Sequence, residues 1–122
     1  MNSDYTILVV DDSPVVVEAV RDALDKDGFT VLTAGDGIEA LDLVRANHVD
    51  LILLDIDMPR MNGYQLCKLL KRDKKFKDIP VVMLTAKSSD TDRQWGVKAG
   101  TNEYLTKPFN YAKVRDVLSR LL

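Results

Sequence analysis

The sequence predicts an α/β domain: a doubly wound five-stranded parallel sheet covered on both faces by helices. Three observations point there. Continuous apolar runs of strand length stop abruptly at polar residues, segments of helical periodicity separate them, and the alternation recurs five times. In 122 residues this makes one domain, spanning 1–122, with no linker, low-complexity stretch or internal boundary.

Ile7-Leu8-Val9-Val10 is the first run, apolar throughout as in a strand buried on both faces, and it ends at Asp11-Asp12. Ser13-Pro14 offers a helix N-cap followed by proline at the first helical position, and Val17, Val20 and Leu24 supply one apolar face until Gly28 breaks it. A weaker strand follows at Thr30 to Ala34, then a helix whose stripe is Ile38, Leu41 and Val44. Leu51-Ile52-Leu53-Leu54 stops at Asp55, and the third helix carries Leu66, Leu69 and Leu70 on its stripe. Pro80 opens Val81-Val82-Met83-Leu84, which stops at Thr85. The fourth helical segment, about Ser89 to Ala99 and closed by Gly100, is less amphipathic, with Trp95 its largest member. A weak strand around Tyr104-Leu105 completes the set, and Asn110 caps a fifth helix with Val114, Val117, Leu118 and Leu121 on one side. Right-handed crossovers leave few ways to wind five such units.

Composition narrows the function. The 17 Lys and Arg against 19 Asp and Glu give a net charge of −2, which argues against nucleic acid as the main partner. One cysteine, Cys67, excludes an internal disulfide and a cysteine-cluster metal site, and is read as a small apolar residue packed on the sheet. The opening MNSDYTILVV has no basic flank and its apolar run stops at Asp11, so neither a signal peptide nor membrane insertion is expected and a cytoplasmic location is.

In an open parallel sheet, ligands bind at the carboxyl ends of the strands where the winding reverses. The residues there are Asp11 and Asp12, Asp55, Thr85 and Lys107. Carboxylates brought close together repel, and a divalent cation removes that cost. Oxygen-only ligation suits Mg2+ better than zinc. His48, the only histidine, precedes a strand and lies at the wrong end for this site. An ionised Asp55, with an ordinary pKa near ~3.9, needs no partnering base to attack phosphorus. Metal, the Lys107 ammonium and the Thr85 hydroxyl could each take one equatorial phosphoryl oxygen.

These residues resemble the receiver domains of two-component response regulators. The matching motifs are Asp11-Asp12-Ser13-Pro14, Leu53-Leu54-Asp55-Ile56-Asp57-Met58-Pro59 with Met61-Asn62-Gly63, Leu84-Thr85-Ala86, and Tyr104-Leu105-Thr106-Lys107-Pro108-Phe109. They span nearly the whole chain in the family's order. The resemblance implies a flavodoxin-like (βα)5 fold with strand order 2-1-3-4-5. It implies that Asp55 accepts a phosphoryl group from a sensor histidine kinase or phosphotransfer protein. Asp12, Asp55 and the backbone carbonyl of Asp57 would ligate Mg2+, with Asp11 holding metal-bound water. Lys107 would contact the phosphoryl group, and Thr85 would swing toward it and draw Tyr104 inward. That would change the face of the fourth helix, fifth strand and fifth helix, where a downstream protein target docks. The chain would assist its own phosphorylation and dephosphorylation without being an enzyme otherwise. Asp57 and Lys87 stand where the family tunes phosphoryl lifetime, and Thr101 replaces a common alanine. The stretch from Thr91 through Trp95-Gly96 to Gly100 is similar to regulators of type IV pilus motility and related chemotaxis-like systems.

Six cations, Lys68, Arg72 and Lys71, Lys74, Lys75 and Lys77, gather on the third helix end and the loop after it. They read as a solvated surface, with a docking patch for an acidic partner as the sharper alternative. Two other functions compete. Asp55-Ile56-Asp57 also resembles the first motif of haloacid-dehalogenase-type phosphatases, in which, however, the nucleophile strand comes first and the acidic pair last. The second rival is a receiver-shaped interaction module that is never phosphorylated. Met1 at the start favours a stand-alone regulator over a receiver excised from a longer chain.

Overall fold

The computed structural model describes residues 4–56, 58, 61–85, 100–107 and 110–122. Its strands are β1 (Thr6–Val10), β2 (Thr30–Ala34), β3 (Leu51–Asp55), β4 (Val81–Thr85) and β5 (Glu103–Thr106). Its helices are α1 (Pro14–Lys26), α2 (Gly37–Ala46), α3 (Gly63–Arg72) and a C-terminal α4 (Tyr111–Leu121). The fourth helical segment expected from the sequence, about Ser89 to Ala99 with Trp95, lies outside the described residues, as does Lys87.

All strand pairs are parallel, in the order β2-β1-β3-β4-β5. Successive strand residues face opposite sides, so a fully apolar strand feeds two cores at once. Leu8, Val10, Ile52, Leu54, Val81 and Met83 pack against Ala40 and Val44 of α2 and Leu66, Cys67 and Leu70 of α3. Their neighbours Ile7, Val9, Leu51, Leu53, Val82 and Leu84 pack against Val20 and Leu24 of α1 and Val114, Val117 and Leu118 of α4. The two weak sequence runs became the edge strands β2 and β5, which are only partly covered and need less apolar surface.

The caps follow the sequence. Ser13 accepts from the Val16 amide, Asp36 from Glu39 and Asn110 from Lys113, while Asn62 and Gln65 cap each other reciprocally. Gly28, just past α1, has φ +90°, a conformation costly for any other residue.

Two helix stripes are rotated from the expected ones. Ile38 is 42% exposed and Leu69 43% exposed. The buried face of α2 is Gly37, Ala40 and Val44, and that of α3 is Gly63, Leu66, Cys67 and Leu70. Both faces keep helical spacing, but small residues occupy positions where the helix must approach closely. A Cβ on Gly37 would lie 2.9 Å from Met61 Cβ. Among the described residues, no helix is long and apolar enough to cross a membrane.

Candidate functional site

The chain leaves β1 for β2 on one side of the sheet and returns to β3 on the other, so the carboxyl ends of β1 and β3 flank the point where the winding reverses. Asp11 and Asp12 follow β1, and Asp55 is the last residue of β3. Carboxylate oxygens of Asp11, Asp12 and Asp55 lie within 4.8 Å of one another. Asp11 and Asp55 are 2% and 5% exposed, while Asp12 opens to solvent.

Lys107, immediately after β5, reaches into this cluster. Its ammonium donates to Asp11 Oδ2 at 2.8 Å and to Asp55 Oδ1 at 3.3 Å. Its backbone amide donates to the Thr85 carbonyl at 2.6 Å, which ties the lysine to the end of β4. The other Asp11 oxygen accepts from the Ser13 amide at 2.9 Å, so the start of α1 also holds this carboxylate. Burial raises the Asp55 pKa to about 6, the Asp11 charge adds to the rise, and Lys107 opposes it. Asp55 thus titrates above the ordinary carboxylate range, and it remains ionised at neutral pH as the sequence reading expects. Burial works to lower the Lys107 pKa, but its bonds and charges from Asp11 and Asp55 outweigh that and hold the ammonium above its usual range.

The donor set fits a hard divalent cation. It consists of clustered carboxylates with too little positive charge nearby, offers oxygen only, and contains no histidine or thiol. Residues 7–119 match the response regulator receiver domain family.

The chain belongs to that family.

This receiver is 41% identical over 104 residues to Protein PilG of Pseudomonas aeruginosa, covering 85% of this chain and 77% of that protein. Its fold is similar to chemotaxis protein CheY4 of Vibrio cholerae, with a TM-score of 0.93 and 35% identity over 97% of this chain and 98% of that one. It is also similar to response regulator TrrA of Thermotoga maritima, solved in complex with Mg2+–BeF, with a TM-score of 0.86 and 32% identity over 97% and 99% of the two chains. The chain spans about half the length of the first curated relatives it matches. Receiver domains are phosphoacceptor switches, and the haloacid-dehalogenase alternative finds no support in these likenesses.

The remaining receiver residues fall as follows. Thr85 ends β4 and is buried, and Tyr104 is half-buried on β5 against the core face shared by α2 and α3. Asp57, whose carbonyl is the expected third ligand, lies outside the described residues. His48 is exposed and paired with Asp50 at 2.8 Å before β3, away from the site. Cys67 is buried with its sulfur 3.9 Å from the Thr101 hydroxyl, and burial pushes its thiol pKa up.

Sequence reasoning missed Gly63 as a site residue. Its amide donates to the Ile56 carbonyl at 3.0 Å, and a Cβ there would lie 2.5 Å from the Asp55 carbonyl oxygen. The signal was a glycine at the first position of a helix that already has an Asn62 cap, where only close approach favours it.

Proposed function

We propose that Asp55 is the phosphoryl acceptor of this receiver, with Lys107 and Thr85 as the groups that meet the transferred phosphoryl oxygens. The observation that carries this reading is the convergence of one ammonium on two buried carboxylates at a strand-end crevice. An Asp55 oxygen attacks phosphorus, forming the P–O bond as the bond to the donor's histidine nitrogen breaks. Lys107 already lies 3.3 Å from the attacking carboxylate, so its charge needs little movement to follow the incoming group. Asp11, held by Ser13, keeps Lys107 anchored on its other side. Thr85, at the end of the neighbouring strand, supplies the hydroxyl that would report the event to Tyr104. Asp12 and Asp55, with Asp11 through water and the Asp57 carbonyl, are the expected holders of Mg2+, which when bound would neutralise charge on the phosphoryl oxygens.

The phosphodonor is a sensor histidine kinase or phosphotransfer protein in the cytoplasm, and the readout is altered binding of a downstream protein target, without nucleic-acid contact or membrane insertion. The chain turns over no external substrate. Residues 1–122 act as one receiver unit.

The test is intact-mass measurement after incubation with Mg2+ and a small acyl phosphate. One added phosphoryl group, absent in Asp55→Asn and in metal-free buffer, supports the reading. No addition from any donor, including a cognate kinase, would leave only a passive receiver-shaped module.

A further inference from the structure

The cation-rich segment at the far end of α3 differs from a plain solvated surface in three respects. First, Lys71 is not part of the solvated set. Its ammonium donates to the Lys77 carbonyl at 3.1 Å, the Ile79 carbonyl at 2.7 Å and Asn102 Oδ1 at 3.2 Å, and burial lowers its pKa. Asn102 Oδ1 also accepts from the Val81 amide. These bonds tie the α3 end, the loop 73–79 and the entry to β5 into one rigid corner, further braced by Phe76 and Lys77 amides on the Asp73 carbonyl.

Second, that corner displays Lys68, Arg72, Lys74, Lys75 and Lys77 in solvent, and among the described residues none of the five is in an ion pair. Residues 68–78 hold six cations against two carboxylates, a local net of +4 in a chain of net −2. One of those carboxylates, Asp73, accepts from the Lys75 amide. Third, Leu69, one of only four large apolar side chains exposed among the described residues, sits between Lys68 and Arg72 on the same helix.

We propose that this corner is a docking surface for an acidic, amphipathic segment of a partner protein, with carboxylates meeting the five cations and an apolar side chain covering Leu69. Charge complementarity selects the occupant. Rigidity lowers the ordering cost of binding, since the platform is already held by Lys71. A long nucleic-acid polyanion fits less well, because the rest of the chain carries the excess negative charge that would repel it, whereas a short segment sees little beyond a Debye length of ~8 Å. Along α3, Lys68 and Leu69 lie roughly 8 Å and Arg72 roughly 13 Å from Gly63 at the acceptor end, with Lys74, Lys75 and Lys77 in the loop beyond, so an occupant centred on the loop side leaves the phosphoryl site accessible.

The test uses the full chain and a fluorescein-labelled helical peptide with glutamates along one face and leucines along the other, read by anisotropy. Binding that weakens with added salt, and falls roughly tenfold or more in Lys68→Glu/Arg72→Glu/Lys75→Glu, is expected. Leu69→Ser should weaken it severalfold, and Asp55→Asn should leave it unchanged, which separates this surface from the phosphoryl site. Lys→Gln versions of the triple variant replace the reversals if those fold poorly, and acyl-phosphate labelling by mass confirms an intact site. Affinity unmoved by charge removal, or a labelled DNA or RNA oligonucleotide bound as tightly as the peptide, would overturn the proposal.

Discussion

Replacing Asp55 by Asn should make the metal-free protein more stable. Asp55 titrates at about 6 in the folded chain against an ordinary 3.8, because it is buried beside Asp11. Between those two values the folded chain holds more proton than the unfolded one, so stability falls as pH rises through the window, and the full cost is present above it. About two pH units correspond to ~3 kcal/mol. That figure is a ceiling, since the substitution also removes one partner of Lys107, which keeps Asp11 at 2.8 Å. A gain of about 1–3 kcal/mol, or ~4–12 °C in Tm at roughly 4 °C per kcal/mol, follows for Asp55→Asn in chelator at pH 7.5. The advantage should shrink as pH drops below 6 and vanish below 3.8. Mg2+ at ten times its Kd should stabilise the native sequence by ~1.4 kcal/mol and the variant hardly at all. Differential scanning calorimetry across this pH range, with and without metal, reads all of these. An Asp55→Asn protein less stable than the native one in chelator at pH 7.5 would refute the account of Asp55 as a strained, metal-seeking carboxylate.

Lys107→Met leaves two nearly buried carboxylates without a cation; unfolding in chelator should show a loss of ~2 kcal/mol or more, partly recovered by Mg2+, and acyl-phosphate labelling should slow. Gly63→Ala forces a Cβ against the Asp55 carbonyl, so denaturant titration should show a cost of about 1–3 kcal/mol, with slower labelling at equal folded fraction. Leu53→Ala, at a fully buried position in the central strand β3, should cost about 2–5 kcal/mol by the same titration and leave the labelled fraction of folded protein unchanged.

The site was legible because each of its side chains ends or follows a strand, and strand ends are where an apolar run stops. Asp11, Asp55 and Lys107 come together for that reason alone, and no local signal was needed beyond the five runs. The central strands were legible for the same reason, since burial on both faces admits no polar residue. What the pattern hid was carried by residues with little or no side chain. Gly37, Ala40 and Gly63 form the buried faces of α2 and α3 because they allow close approach, yet hydrophobic periodicity weighs them below Ile38 and Leu69, which face solvent. Lys71 was hidden differently. Its neighbours in sequence are exposed cations, and only the fold brings two loop carbonyls and Asn102 within its reach.

The bond between Lys107 and Asp11 joins residues 96 positions apart. It cannot exist until the last strand has docked beside β4, so a chain still emerging from the ribosome, or clipped before β5, presents its aspartates without the ammonium that completes them. The acidic cluster therefore acquires its counter-charge only once all five strands of the sheet are assembled.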